Sequence, residues 1–223
     1  MKNTKKKLFV VALAVCLVAI LSMGTLAWFS DSDEVNNDFS FATTDDTHET
    51  AFDIDLFEQD KDGNTTQTGI EYDNILPGDV LVKKAFVKNS STTEGSISGS
   101  NYSQFVRATI TISAADVILR NADTTDAEVI VRGMFDFNAA WSVDTCTYDS
   151  LSKTFVAVLY ADSVLEPSNV INLFNNVTIP TWLTVADAND MNNTFDINIF
   201  AEAVQSDNTG YNNAKAAFGA LVD

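Results

Sequence analysis

A chain of 223 residues, 46% of them apolar, is long enough for one sizeable domain and too apolar for wholesale disorder. Its 31 acidic residues against 13 basic ones give a net charge of −18, which excludes nucleic acid as a partner because phosphate is repelled. One histidine and two cysteines leave little material for imidazole or thiol chemistry.

Lys2, Lys5, Lys6 and Lys7 precede an apolar run over residues 8–21, and Ser22, Gly24, Thr25 and Ala27 follow before the chain turns acidic. This is the layout of a secretory signal. The run covers 14 residues. At about 1.5 Å per residue it spans about 21 Å, short of the roughly 30 Å hydrocarbon core. Thr25 and Ala27 suit the small-residue positions before a cleavage site, so residues 1–27 read as a signal peptide cut between Ala27 and Trp28. Membrane association would then come only through an uncleaved leader. Cys16 lies in the signal core, preceded by Val15 where a lipoprotein signal carries a small residue. Cleavage leaves 9 basic against 31 acidic residues, a net charge of −22, and a single cysteine, Cys146. No intrachain disulfide can then form. Cys146 reads as a buried small hydrophobe or as half of an intermolecular bridge.

Residues 28–43 alternate: Val35, Asn37, Phe39 and Phe41 on one face, Asp38, Ser40 and Ala42 on the other. The polar stretch 44–50 separates them from the first core strand, where Phe52, Ile54 and Leu56 alternate with Asp53 and Asp55. Period-two patterning predicts further strands over 80–88, 106–112, 129–137, 141–148, 154–161, 170–174 and 195–203. Asp62-Gly63, Pro77-Gly78-Asp79 and Pro167-Ser168-Asn169 are turn signals between them. Residues 89–104, rich in Ser, Thr, Gly and Asn, read as a surface loop. Short helices are expected over 185–191 and 212–221. The corner Leu76-Pro77-Gly78-Asp79 has an echo in Glu166-Pro167-Ser168-Asn169, which suits two related corners of a two-sheet fold and equally a chance similarity. The expectation is an all-β antiparallel jelly roll or β-sandwich of about eight to nine strands with few short helices, built from residues 44–223.

No catalytic or cofactor-binding residue stands out. His48-Glu49-Thr50-Ala51-Phe52 begins like a zinc-protease helix, but Phe52 stands where the second imidazole belongs and the chain has no other histidine. A Ser or Cys nucleophile would need the same His48. No glycine-rich phosphate loop is present. The metal candidates are Glu58, Asp60 and Asp62, which resemble the start of a calcium loop, yet Gly69 falls where the bidentate Glu should be. Calcium is therefore the one cofactor the pattern admits, against a plain Asp62-Gly63 hairpin turn. Asn64, Asn89, Asn101, Asn176 and Asn192 start Asn-x-Ser/Thr triplets, several of which chance supplies in a chain this rich in Asn and Thr.

Several segments resemble one family. Gly24-Thr25-Leu26-Ala27-Trp28-Phe29-Ser30-Asp31 is similar to the signal exit and mature start of the TasA/camelysin (CalY) family. Residues 74–86, with Leu76-Pro77-Gly78-Asp79, resemble its "L-x-PGD" corner and following strand, and Asn89-Ser90-Ser91 its next turn. Phe105-Val106-Arg107-Ala108 and Ala201-Glu202-Ala203-Val204-Gln205 resemble its "YVRV" and "AEAVQ" strands. The resemblance implies a jelly roll released by a SipW-type signal peptidase and assembled into extracellular biofilm-matrix fibres. Assembly in that family resembles donor-strand complementation, in which one subunit's N-terminus completes a sheet of the next. Residues 28–43 would be the donor segment, with Val35, Phe39 and Phe41 as its anchors. The expected function is a secreted structural subunit, a homo-oligomer in the matrix or at the cell surface. Two alternatives stand beside it: a camelysin-like cell-surface metalloprotease, and a glycan-binding or surface-adhesion module.

Overall fold

The computed structural model describes residues 30–35, 52–91, 103–191, 194–207 and 209–221. Ten strands appear among them: β1 (Ser30–Val35), β2 (Ile54–Gln59), β3 (Thr65–Thr66), β4 (Val80–Asn89), β5 (Gln104–Ile112), β6 (Phe135–Phe137), β7 (Trp141–Asp149), β8 (Thr154–Ala161), β9 (Val170–Thr178) and β10 (Ile197–Gln205). Four short helices accompany them: α1 (Ala115–Leu119), α2 (Ala127–Met134), α3 (Val185–Met191) and α4 (Ala214–Gly219). The strands form two antiparallel five-stranded sheets in the orders β1-β10-β5-β8-β7 and β3-β2-β4-β9-β6. The chain passes repeatedly from one sheet to the other, in jelly-roll interleaving, and β1 and β10 of the first sheet approach β2 of the second.

The predicted alternation holds where it is strongest. Ile54 and Leu56 of β2, Val106, Ala108, Ile110 and Ile112 of β5, and Phe155, Ala157 and Leu159 of β8 are all buried between the sheets, as are Ile199, Ala201 and Ala203 of β10. Each large side chain among them contributes about 1.5–3 kcal/mol by leaving water. Because the side-chain period is two, a one-residue slip of any of these strands would turn its apolar set outward, so register is fixed by the core.

The two proline corners are built alike. The Asp79 amide donates to the Leu76 carbonyl (3.1 Å) with Gly78 at φ 89°, and the Asn169 amide donates to the Glu166 carbonyl (3.0 Å) with Ser168 at φ 67°. Proline second and a positive φ third is the type II turn pattern. The corners lead into β4 and β9, which pair with each other, and each corner also bonds the far end of the other strand's path. The Gly78 amide donates to Ile179 O (3.0 Å) and the Ile179 amide to Asp79 O (2.8 Å), while Asn89 N and Ser168 N exchange bonds with Asn169 O (3.0 Å) and Asn89 O (2.9 Å). The echo in the sequence is therefore a pair of matched corners at opposite ends of one strand pair.

One predicted strand is mostly a helix. Over 129–137 only Phe135–Phe137 is extended, and Ala127–Met134 forms α2. The Val129-Ile130-Val131 run favours a strand, but Asp126 caps the helix by accepting from the Glu128 amide (2.9 Å) and the Val129 amide (3.4 Å). The buried residues Ala127, Ile130, Val131 and Met134 follow helical spacing, and Val129 points to solvent. β9 also runs on to Thr178, and α1 carried no recognisable signal.

The loop over 89–104 belongs to β4 and β5 at its ends, and residues 92–102 lie outside the described set. Its two bases are joined by buried polar side chains. Gln104 Nε2 donates to Asp53 O (2.7 Å) and Ser91 Oγ (3.0 Å), Asn89 Nδ2 donates to Leu165 O (2.8 Å), and the Ser91 amide donates to Asn89 Oδ1 (3.0 Å). Such bonds satisfy groups whose burial would otherwise cost about 1–3 kcal/mol each.

Candidate functional site

β1 closes one edge of the first sheet. It pairs antiparallel with β10 in an unbroken register from Ser30 opposite Val204 to Val35 opposite Ile199. β10 in turn pairs along its other side with β5, from Ile197 opposite Ile112 to Gln205 opposite Gln104. β10 thus offers a full strand edge, and in the single chain that edge is taken by the chain's own N-terminal strand. Glu202 is the one charged residue of β10. It is neutralised by Arg107 of β5, whose Nε and Nη2 reach Glu202 Oε2 at 2.8 and 2.7 Å. The guanidinium also lies 4.5 Å from the centroid of the Phe218 ring of α4.

The second feature is an ion pair inside the sandwich. Glu58 of β2 and Lys83 of β4 are almost wholly buried, with Lys83 Nζ 2.5 Å from Glu58 Oε1. The other oxygen, Glu58 Oε2, is buried without a hydrogen-bond partner. Beside the pair lies a cavity of about 360 Å³ lined by Lys83, Tyr72, Leu81, Val177, Phe195 and Ile197 among others. The Tyr72 hydroxyl donates to Val82 O (2.6 Å). Burial, with the nearby Glu58 and Asp60 carboxylates, pushes its pKa up to about 12. Sequence reading missed this pair, although strand parity could have found it. Glu58 shares the inward face of Ile54 and Leu56, and Lys83 that of Ala85 and Val87.

The camelysin metallo-endopeptidase family (peptidase M73) matches residues 3–98. The resemblance to the TasA/camelysin family is thus shown over these residues. No curated protein and no solved structure matches the chain. Camelysin family members are extracellular or cell-surface proteins. Among the described residues no helix is long and apolar enough to cross a membrane.

The camelysin description implies a metal, and the described residues do not fit one. A catalytic zinc needs about three protein ligands converging on one point. No group of three or more His, Cys, Asp or Glu side chains that could hold a metal occurs among the described residues, and His48 lies outside them. The calcium candidates diverge. Glu58 points into the sandwich toward Lys83. Asp60 spends its carboxylate on its own turn, accepting from the Asp62 amide (2.9 Å), the Asn64 amide (2.9 Å) and Asn64 Nδ2 (2.9 Å), and these bonds, that of the Asn64 side chain first, hold its pKa low. Asp62 pairs with Lys61 (2.8 Å) on the exposed tip. The turn itself is the Asp-Gly hairpin between β2 and β3, with Gly63 at φ 86°.

Of the donor-strand residues, Val35 is the last of β1, while Phe39 and Phe41 lie outside the described residues, as do Ala27 and Trp28 at the cleavage position. Cys146 sits on β7, half-buried and free. Burial, reinforced by the Glu128 carboxylate of α2, pushes its thiol up to about 11.

Proposed function

We propose that the chain is a secreted structural subunit of an extracellular matrix fibre that assembles by donor-strand exchange. In the assembled state the N-terminal strand of one copy takes the β10 edge of the next, in the register it holds on its own β10 in the single chain. The observation that carries this reading is the β1–β10 pairing. The first described strand is the terminal strand of its sheet, joined to the body by 18 residues between Val35 and Ile54, so it can leave without disturbing the sheet order behind it. Main-chain bonds to a neighbour replace those made at home, and alternate side chains set the register. Because the contact runs head to tail, it extends into filaments instead of closing. The camelysin match over residues 3–98 and the signal-like leader support an address outside the cell.

The test is removal of residues 28–43 from the secreted form. The expected product is a folded protein that stays single by sedimentation and shows no fibres by electron microscopy. Fibres unchanged after the deletion would reject the proposal.

The family description names a second reading, a surface metallo-endopeptidase, for which no ligand group occurs among the described residues. It requires zinc binding and casein cleavage by the purified protein, lost on chelation, with His48→Ala as the residue-level test.

A further inference from the structure

The edge of β10 is longer than the strand that covers it. β1 ends at Val35, opposite Ile199, whereas β10 begins at Ile197, which pairs on its other side with Ile112 of β5. Hydrogen bonds fix which way these first residues face. The Asp196 amide donates to Ser113 Oγ (2.6 Å) and its carbonyl accepts from the Ser113 amide (3.0 Å), both on the β5 side. Successive residues of a strand turn their polar groups to opposite sides, so Ile197 directs its amide and carbonyl to the β1 side. Among the described residues no strand pairs with it there. The Ile197 amide donates instead to the carboxylate of its own neighbour, Asp196 (2.9 Å).

The cavity of about 360 Å³ beside the Glu58–Lys83 pair opens at this same place. Phe195 and Ile197 line it, together with Ile75, Leu81 and Val177, and all but Val177 are only partly buried. Its acids, Glu71, Asp73 and Asp196, are exposed and form its rim. The apolar wall is therefore wet, and an apolar side chain would cover it. Continuing the antiparallel register past Val35 and Ile199 sets Asn36 opposite Asn198, Asn37 opposite Ile197 and Phe39 opposite Phe195. Position 37 would supply the main-chain partner that Ile197 lacks, and parity puts positions 35, 37 and 39 on the face of Ile199, Ile197 and Phe195. The one conflict of charge, Asp38 opposite Asp196, falls on the other face, where salt screens it. Sixteen residues separate Val35 from Phe52, so twelve remain after Phe39. They reach up to about 40 Å. The return they must make is ten residues along β10, about 33 Å, from Phe195 to Gln205, which stands opposite the Gln104 that holds Asp53 O.

We infer that this cavity is the seat of the Phe39 side chain, carried there by residues 36–39 as they extend β1 along the open end of β10. The seat serves the chain's own strand and, in a fibre, a neighbour's; only the second use rests on the function proposed above. The test uses the purified secreted form with Cys146→Ser, Asn36→Cys and Asn198→Cys. The register sets these two cysteines opposite each other, about 4.5 Å apart at Cα and on the face away from the cavity, within reach of a disulfide. Equilibrated with reduced and oxidised glutathione, the pair is expected to form that disulfide, read by non-reducing electrophoresis. Ser40→Cys with Asn198→Cys, four residues or about 13 Å out of register, is expected not to. Adding Phe39→Ala, or Ile75→Trp to fill the cavity from its other wall, should lower the disulfide's equilibrium constant about tenfold or more in proteins still folded by circular dichroism. No disulfide, an equal yield from the out-of-register pair, or a constant unchanged by either added substitution would overturn the inference. A disulfide within one chain supports the seat whether or not fibres form. Fibres unchanged after deletion of residues 28–43 would end the fibre reading and leave that disulfide standing.

Discussion

Deleting residues 28–43 tests whether β1 is detachable, and the pairing itself predicts the energy. Six residues in antiparallel register make about six ladder bonds, each contributing about 1 kcal/mol net, or about 6 kcal/mol. Ordering six backbone residues costs about 1–2 kcal/mol each, or about 6–12 kcal/mol. The ladder bonds offset this cost at its lower end, so the main-chain contribution of β1 to its own fold is close to zero or below it. The body should therefore lose less than about 3 kcal/mol on deletion, a Tm drop below about 10 °C for a domain of this size. Urea unfolding measures the loss, and a synthetic peptide of residues 28–43 should restore it by filling the vacant edge. If the truncated protein is unfolded, or if the peptide neither binds nor stabilises it, β1 is an integral strand and the exchange argument fails.

Lys83→Met should cost about 3–5 kcal/mol, because it strands the Glu58 carboxylate in the sandwich, whereas adding Glu58→Leu should recover most of that loss; a double variant as unstable as the single one in urea unfolding would contradict this. Gly78→Ala should cost about 1–2 kcal/mol, since a Cβ is strained at φ +89° and would also meet Thr181 Cγ2 at 3.4 Å, and thermal unfolding measures it. Cys146 should react with iodoacetamide at pH 8 on the order of 100-fold more slowly in the native protein than in urea, because its pKa near 11 leaves little thiolate; equal rates would show that the thiol is not covered. Burial raises the Asp136 carboxyl, but the Asn175 and Asn176 amides (2.8 and 2.7 Å) and Asn176 Nδ2 (2.8 Å) outweigh it and hold the pKa below the usual value. Its stabilising effect is thus full at neutral pH and is lost as pH falls below about 4 through the folded-state value. Asp136→Asn should flatten that part of the stability–pH curve.

Much of the sandwich was legible because its strands are half-buried. In β8, and in β5 from Val106 onward, the alternation is strict, and water on one face and core on the other write it directly into the sequence. α3 was legible over residues 185–191 as it stands. α2 was not, because three consecutive β-branched residues speak for a strand while the deciding signal is one capping carboxylate, Asp126, and burial spaced by three and four. The buried pair was obscured for another reason. Parity puts Glu58 and Lys83 each on an inward face, but that they meet is decided by the pairing of β2 with β4, and pairing is not local information. The receiving edge shows the same limit. "Ala201-Glu202-Ala203-Val204-Gln205" could be matched by resemblance, but which strand would lie beside it is a property of topology.

Electrostatics explains why β10 accepts an acidic strand beside it. Residues 28–223 carry a net charge of −22, so two copies repel, and β1 itself reads Ser-Asp-Ser-Asp-Glu-Val. An acidic strand cannot land on an acidic edge without a penalty, since like charges directly opposite destabilise a strand pair. Along Ile197–Gln205 there is one acid, and Arg107 cancels it from the neighbouring strand while Phe218 holds the guanidinium in place. Glu202 stands opposite Ser32, and Asp31 and Asp33 stand opposite Ala203 and Ala201. Every acid of β1 therefore meets an uncharged residue across the pair, including Glu34 opposite Phe200. This pattern serves a strand from the same chain and one from a neighbour equally. Under the proposed assembly, high protein concentration would favour the neighbour's strand, and repulsion between acidic bodies, which salt reduces, would oppose it.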